Sequence, residues 1–312
     1  MGVTRLDQRG FVTLGGIPQW VEVHGADGAN PVLIALHGGP GMPETPLLRH
    51  FNAGIERVFT VVYWEQRGAG RTYDRKTPPE TMTVDRFVAD LDELVDHVRA
   101  RFAKPKVALL GHSWGSALGT LYAARHPEKV SAYIGTGQIG DLAASEADGY
   151  AFVLEEAKRR GNAKAVEELT RLGPPPYTEQ QMMVQRRWLG RFVGTLGSVP
   201  VWTALRIVLF ASGTSIFSLP KVVGGMFFSL RTLWPQVSAI NLERDAPELK
   251  MPVWFLNGRN DHQVSAAKTE QYFNKLIAPS KKLVWFEKSG HFAPFEEPEA
   301  FNAAMAEIAR SL

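Results

Sequence analysis

The feature that most constrains the fold of this chain is the stretch from Lys106 to Gly119. It begins with an apolar run at 107–110, typical of a buried strand, and ends with small residues typical of a helix packed closely on a sheet. Between them stands Gly111-His-Ser-Trp-Gly115, the G-x-S-x-G pattern of a nucleophile elbow, in which Ser113 is exposed at a tight turn. The alternative is an ordinary turn whose serine caps the helix, so partners elsewhere in the chain must decide.

Composition excludes several classes of protein. The chain has 312 residues, no cysteine and a formal net charge of +3. Without cysteine, disulfides, thiolate metal sites and a cysteine nucleophile are excluded. The basic excess is small and no lysine or arginine block indicates nucleic-acid binding. We see neither an apolar leader at the start nor a segment long enough to span a bilayer, and therefore expect a cytoplasmic protein without a membrane partner.

The chain alternates between strand and helix patterns on both sides of one long helical block. The predicted buried strands are short apolar runs at residues 32–36, 58–64, 107–110, 130–134, 252–256 and 282–286. Such alternation predicts an α/β fold with a mostly parallel sheet and helices on both faces. We predict the first part of this core over residues 1–140, an inserted helical cap over 141–247, and the second part of the core over 248–312.

A serine nucleophile requires a base that takes its proton and an acid that orients the base. His291 follows the last predicted strand, and Asp261 follows the strand before it. Both would therefore lie at the carboxyl ends of neighbouring strands, where open α/β sheets place their catalytic groups. We predict Ser113 as nucleophile, His291 as base and Asp261 as orienting acid. The alternative for Asp261 is a polar surface turn.

Acyl transfer also requires donors for the developing oxyanion, usually two backbone N–H groups. One is expected from Trp114, the residue after the nucleophile. The other is expected from the glycine-rich loop His37–Gly41, which follows the strand at 32–36, and we choose Gly39. The alternative for this loop is a simple turn from strand to helix.

Other signals are weaker. His126 ends a predicted helix and is interpreted as a capping residue, while Glu243 and Asp245 precede their strand and are poorer acids than Asp261. The segment Gly135–Gly140 matches G-x-G-x-x-G, the pattern of dinucleotide binding, but it opens no clean second βαβ unit. No motif for a metal or a phosphate is present, so we predict neither metal nor cofactor.

Four motifs together carry a resemblance to a known family. They are His37-Gly-Gly-Pro-Gly41, Trp64-Glu-Gln-Arg-Gly-Ala-Gly-Arg71, Gly111-His-Ser-Trp-Gly115, and Asp261 with Ser289-Gly-His-Phe292. The chain resembles proteins with the α/β-hydrolase fold, and among these the prolyl aminopeptidase (proline iminopeptidase) family. The resemblance covers residues 10–140 and 248–312.

By that similarity, Ser113, Asp261 and His291 form a catalytic triad, and Gly39 and Trp114 form the oxyanion hole. Members of the family use no cofactor and remove an N-terminal proline from peptides, and some relatives hydrolyse other amides or esters. The resemblance implies hydrolysis of a peptide or amide bond in a small molecule or short peptide. An esterase or amidase for an apolar acyl substrate and a non-catalytic ligand-binding relative are the alternatives.

Two departures from the family bear on the substrate. Glu65 stands where the family usually has aspartate, and the cap lacks the Trp-Glu pair that helps to bind the substrate amine; its nearest match, Gln185–Arg191, is basic. The apolar stretch Val199–Phe228 is either the core of the cap or an apolar pocket. Other cap carboxylates are candidates to bind an amine, and the alternative is that they face solvent: Glu155, Glu156, Glu167, Glu168 and Glu179.

Overall fold

The computed structural model describes residues 5–210 and 219–312. The strands are β1 (Leu6–Leu14), β2 (Ile17–Gly25), β3 (Val32–Leu36), β4 (Thr60–Glu65), β5 (Val107–His112), β6 (Val130–Thr136), β7 (Thr195–Ser198), β8 (Val253–Gly258) and β9 (Lys281–Phe286). All except β7 form one eight-stranded sheet in the order β1-β2-β4-β3-β5-β6-β8-β9. The first two pairings, β1 with β2 and β2 with β4, are antiparallel, and the other five are parallel. The predicted mostly parallel sheet is confirmed.

Helices cover the sheet and fill the long interval between β6 and β8. They are α1 (Thr45–Phe51), α2 (Ile55–Val58), α3 (Val84–Phe102), α4 (Trp114–Arg125), α5 (Leu142–Arg159), α6 (Ala163–Leu172), α7 (Glu179–Val193), α8 (Val201–Phe210), α9 (Leu219–Val237), α10 (Leu242–Asp245), α11 (Ala266–Lys275), α12 (Ala293–Glu296) and α13 (Pro298–Arg310). Two short 3₁₀ helices lie at Gly70–Thr72 and Pro79–Thr81. Among the described helices, none is long and apolar enough to cross a bilayer.

The central strands are apolar along their whole length because both faces of the sheet are covered. In β3, Leu33 and Ile34 are fully buried but belong to two different hydrophobic clusters, one on each face. Successive side chains of a strand point to opposite faces, so one continuous apolar run serves both clusters. The sheet is thus packed on both faces, and the loops after β3, β5, β8 and β9 lie at its carboxyl edge.

Between β6 and β8 the chain forms α5–α10 and the short strand β7, over the carboxyl edge of the sheet. In α5 the buried positions Leu142, Ser145, Glu146, Gly149 and Val153 recur at helical spacing. The apolar stretch predicted at Val199–Phe228 contains α8 and the first half of α9. Its residues 211–218, with Phe217, lie outside the described residues.

Candidate active site

Ser113 stands between β5 and α4 with φ 53° and ψ −120°, and it is one of two non-glycine residues with positive φ in the described chain. A Cβ at Gly111 would stand 2.7 Å from the Cα of Ser116, and one at Gly115 would stand 2.6 Å from the carbonyl carbon of Leu36. The elbow therefore requires both glycines for close backbone approach, not for an unusual dihedral angle. The Ser113 backbone N–H donates to the carbonyl of Thr136 on β6 at 3.0 Å, which fixes the turn to the sheet.

The other two residues of the predicted triad lie side by side. Nδ1 of His291 is 2.7 Å from Oδ2 of Asp261, and both side chains are buried. Oδ1 of Asp261 accepts backbone N–H bonds from Gln263 and Val264, each at 2.9 Å. These two donors hold the carboxylate in one orientation, with its second oxygen directed at the imidazole. Nδ1 of His291 consequently carries a proton, and Nε2 is the nitrogen left to act as a base.

His291 and Ser113 line the same cavity. Nε2 of His291 is buried and has no hydrogen-bond partner among the residues that the structure describes. Behind the ring lies Gly137, with φ 51°, where a Cβ would stand 2.8 Å from Cε1 of His291. The G-x-G-x-x-G segment noted in the sequence thus packs its Gly137 directly against the ring of His291. A side chain at this position would displace the imidazole.

The loop after β3 faces the elbow. Gly39 has φ 113°, and a Cβ there would stand 2.7 Å from the backbone nitrogen of Gly41, so only glycine fits this tight turn. Gly39 and Trp114 both line the cavity. Trp114 begins α4, and the first N–H groups of a helix have no partner within it and carry partial positive charge. Their role as oxyanion donors remains a prediction.

Gln66 connects this loop to the elbow. Its side-chain amide donates to the carbonyl of His37 at 3.1 Å and accepts from the indole N–H of Trp114 at 2.9 Å. Its backbone N–H donates to Nε2 of His37 at 3.1 Å, so Nδ1 carries the proton that goes to the carbonyl of Gly38 at 2.8 Å. Burial lowers the pKa of His37, which keeps this imidazole neutral. The histidine of the loop is therefore structural.

The charged residues of the Trp64–Arg71 motif are also structural. Arg67 forms a buried ion pair with Asp90 of α3, with Nε 2.9 Å from Oδ2. Glu65 is buried, accepts from the backbone N–H of Arg71 and pairs with its guanidinium. Burial raises the pKa of Glu65, although Arg71 opposes this effect. The glutamate found in place of the family's aspartate thus braces the loop and is absent from the lining of the cavity.

The cavity between core and cap has a volume of about 480 Å³. Ser113, His291 and Trp114 contribute to its core side, and Ile139 and Phe292 add apolar surface there. Its cap side is largely apolar and comes from α5, α7 and α9, with Leu142, Met182, Met183, Leu189, Met226 and Leu230. Such a lining suits a small, partly apolar substrate with a few polar anchor points.

Glu146 is the carboxylate that the cap contributes to this cavity, and the sequence analysis missed it. It is 2% exposed, and one oxygen pairs with the guanidinium of Arg186 on α7. The other oxygen, Oε2, is buried without a hydrogen-bond partner among the described residues, as is the side-chain nitrogen of Gln185. A sequence signal existed: Glu146 falls on the same buried helical stripe as Leu142 and Val153. A glutamate on a buried stripe favours a binding function.

Two further carboxylates line the cavity. Glu296 accepts backbone N–H bonds from Gly290 and Phe292, each at 3.1 Å, and from Ser198 of β7 at 3.2 Å, and burial raises its pKa. Glu44 lies at the start of α1, 2.7 Å from Nδ1 of His112. No pattern in the sequence singled out either residue. Their places in the cavity depend on long-range packing that only the tertiary structure defines.

Most of the other cap residues that the sequence offered as candidates lie elsewhere. The five glutamates Glu155, Glu156, Glu167, Glu168 and Glu179 are absent from the lining of the cavity. Of the apolar stretch, Met226 lines the cavity, whereas Trp202 and Phe210 are 61% and 82% exposed and border a separate cavity beside α1. Within residues 5–210 and 219–312, no group of three or more histidine, aspartate or glutamate side chains could hold a metal ion.

Comparisons with known proteins agree with this architecture. A model of the alpha/beta hydrolase family matches residues 32–304. The chain is 30% identical over 303 residues to the probable aminopeptidase YbaC of Bacillus subtilis, covering 96% of this chain and 95% of the relative. It is 26% identical over 311 residues to the proline iminopeptidase of Heyndrickxia coagulans, covering 97% and 99%. A proline iminopeptidase-related protein from Thermus thermophilus superposes with a TM-score of 0.70 at 21% identity, covering 98% of each chain.

The fold and these matches define the chain as an α/β hydrolase, and it belongs to the alpha/beta hydrolase family. Its relatives include proteins named aminopeptidase and proline iminopeptidase, so the resemblance found in the motifs is confirmed. The protein is a hydrolase, which sets aside the non-catalytic alternative.

Proposed function

We propose that this protein is a serine hydrolase that cleaves a small amide or peptide through an acyl-enzyme. The observation that carries the proposal is the 2.7 Å hydrogen bond between His291 and Asp261 on the cavity that Ser113 also lines. A serine in a strained elbow and an oriented imidazole are the groups that nucleophilic acyl transfer requires.

The chemistry proceeds in two balanced steps. Oγ of Ser113 attacks the substrate carbonyl while Nε2 of His291 takes the hydroxyl proton, and the carbonyl oxygen becomes an oxyanion facing the N–H groups of Gly39 and Trp114. The imidazolium, stabilised by Asp261, then protonates the leaving group as its bond to the carbonyl carbon breaks. Water repeats the sequence on the acyl-enzyme, giving a free acid and restoring Ser113.

Within this class, we propose that the substrate has a free N-terminal amine. Support comes from the relatives named aminopeptidase and proline iminopeptidase, and from Glu146, whose buried Oε2 has no partner among the described residues. An ammonium group bound in a desolvated site needs an anionic partner, and a charge-assisted hydrogen bond to a carboxylate provides one. Glu146 takes the place of the Trp-Glu pair that the cap lacks.

A second candidate is hydrolysis of an ester or blocked amide with an apolar acyl group. It is favoured by the ion pair between Arg186 and Glu146, which already neutralises this carboxylate, and by the apolar side chains of the cap wall. In that reaction the cavity would bind the acyl group by burial of its surface, and no amine would be required.

A substrate panel separates the two candidates. Proline β-naphthylamide, its N-acetylated form and a series of p-nitrophenyl esters are compared by kcat/KM. We expect cleavage of the free amine with strong discrimination against its acetylated form. Cleavage of the esters or the blocked amide without the free amine would replace the aminopeptidase proposal by the second candidate.

A fluorophosphonate probe tests the serine itself, because only an activated serine is labelled. We expect labelling of the wild type, its loss in Ser113→Ala, and normal labelling in the control Ser238→Ala, since Ser238 lies beyond the end of α9 and does not line the cavity. Equal labelling of the wild type and Ser113→Ala would refute the nucleophile assignment.

A further inference from the structure

The wall of the cavity holds a second pair of a carboxylate and a histidine, which the proposed reaction does not use. Oε1 of Glu44 is 2.7 Å from Nδ1 of His112, and Nε2 of His112 is 3.0 Å from the main-chain carbonyl oxygen of His291. Glu44 and His112 are 3% and 5% exposed. Glu44 and His112 thus form a buried chain of hydrogen bonds that ends at the backbone of the proposed base.

The hydrogen bonds fix the protonation of His112. A carbonyl oxygen can only accept, so Nε2 of His112 must donate to it. Burial opposes a charge on this imidazole, but the nearby Glu44 carboxylate raises the pKa of His112 above its ordinary value. In its protonated form the ring donates through both nitrogens, to Glu44 and to the carbonyl of His291. Without the carboxylate, Nδ1 of His112 loses its partner, and the ring is held only by its single hydrogen bond to the carbonyl of His291.

The surroundings of His112 contain few other charges. The titratable groups near it are Glu44 and His37 on one side and Asp261 and His291 on the other. Its ring also packs against the ring of His291, with centroids 5.0 Å apart. The His112 side chain therefore contacts both the main chain and the ring of His291.

The pair connects three loops that must be aligned for catalysis. Glu44 ends the loop that contains Gly39, His112 immediately precedes Ser113, and the acceptor belongs to His291. Gly38 fits between them: a Cβ there would stand 3.0 Å from Oε1 of Glu44 and 3.2 Å from Cβ of Ser113. An error in any of these positions would change the distance between nucleophile and base.

We propose that Glu44 and His112 are positioning residues, in which Glu44 holds the ring of His112 through Nδ1, in the orientation that donates to the main chain of His291, and thereby keeps the base in line with Ser113. The inference rests on the proposed function, because it assumes that His291 acts as the base. It assigns no substrate contact to either residue. Glu44 acts on the reaction through His112.

The test is a double-mutant cycle on the full-length protein, with active molecules counted by fluorophosphonate titration. In Glu44→Ala we expect kcat per active site to fall about 100-fold with little change in KM, the scale of a 1 Å misplacement of a catalytic group. In Glu44→Gln we expect kcat within about threefold of the wild type, because the amide can donate to Nδ1 and leave the proton on Nε2. If Glu44 acts through His112, adding Glu44→Ala to His112→Ala causes no further loss beyond about twofold.

The control is Glu56→Ala. Glu56 pairs with Arg49, 2.9 Å away, in the same part of the fold, but has no contact with His112 or His291, so kcat is expected to be unchanged. Additive losses in the cycle, an unchanged kcat in Glu44→Ala, or a loss seen mainly in KM would each overturn the proposal. Should His112→Ala fail to fold, the contrast between Glu44→Ala and Glu44→Gln decides alone. Failure of the proposed function differs visibly, since Ser113 of the wild type would then remain unlabelled.

Discussion

The two walls of the cavity are built on different principles. On the core wall, hydrogen bonds fix the direction of the proposed base, because His291 is held by Asp261, whose two oxygens accept three N–H bonds. On the cap wall, apolar side chains of α7 and α9 surround one ion pair, and Oε2 of Glu146 has no partner among the described residues. Preorganised polar groups serve transition-state stabilisation, whereas an apolar wall serves substrate selection. We therefore expect core changes to act on kcat and cap changes to act on KM.

The largest effect is expected on the core wall from Asp261→Asn. Oδ1 accepts from two backbone N–H groups, so the amide oxygen of asparagine occupies that place and its NH₂ faces Nδ1 of His291. The imidazole is then forced to carry its proton on Nε2 and cannot accept the proton of Ser113. Turnover should fall about 10⁴-fold, the scale measured for this change in a serine protease triad. Steady-state kinetics provide the measurement, with Asp245→Asn as a control; near-normal turnover would assign the orienting acid elsewhere.

A smaller effect on the same wall is expected from Gly137→Ala. The new methyl group would stand 2.8 Å from Cε1 of His291, so the ring must move, and kcat should fall about 100-fold for a displacement near 1 Å. The matched control is Gly161→Ala, which has a similar φ of 61° but nothing within 4 Å of the new Cβ. Both variants share the strain of a positive φ, and Gly137→Ala should lose more thermal stability than Gly161→Ala because its methyl group also meets the buried imidazole. Equal kcat values in the two variants would show that Gly137 does not hold the histidine.

On the cap wall we expect Glu146→Gln to act on substrate binding. Loss of a charge-assisted hydrogen bond should raise KM for proline β-naphthylamide about 10-fold and leave KM for the acetylated amide nearly unchanged. The control is Glu167→Gln, because Glu167 is exposed and pairs with Arg171 on the surface, away from the cavity. A change in kcat alone in Glu146→Gln would contradict the expected division between core and cap. An equal rise in KM for the free and the acetylated amide would refute Glu146 as the amine site.

The smallest effect is expected from trimming the apolar part of the cap wall. Met183→Ala should raise KM by about threefold, since it removes contact with about two ligand atoms that contribute about 0.3 kcal/mol each. Met183 is 38% exposed, so its truncation should cost little stability. Val201→Ala, on an exposed position of α8 outside the cavity lining, serves as the control in KM measurements across the ester series. If KM is the same for short and long esters in both variants, this wall does not bind the acyl group.

The candidates for the triad on the core side could be predicted from the sequence because their signals are local. The strands are short apolar runs, the elbow is defined by Gly111 and Gly115 around Ser113, and the loops holding Asp261 and His291 each follow a strand. Parallel strands end at one edge of a sheet, so sequence order alone places these loops together. The cap gave no such signal, since its helices pack by shape and amphipathic faces fit several arrangements.

The sequence by itself determined the class of fold and the order of its central strands, and it indicated which core residues are candidates for catalysis, because strand periodicity and tight-turn glycines depend on neighbouring residues. Only the tertiary structure decided that Glu44 meets His112, that Glu146 faces the cavity and pairs with Arg186, and that Gly137 backs His291. These contacts join residues between 40 and 154 positions apart. Long-range contacts depend on how whole elements pack, and no local pattern encodes that packing.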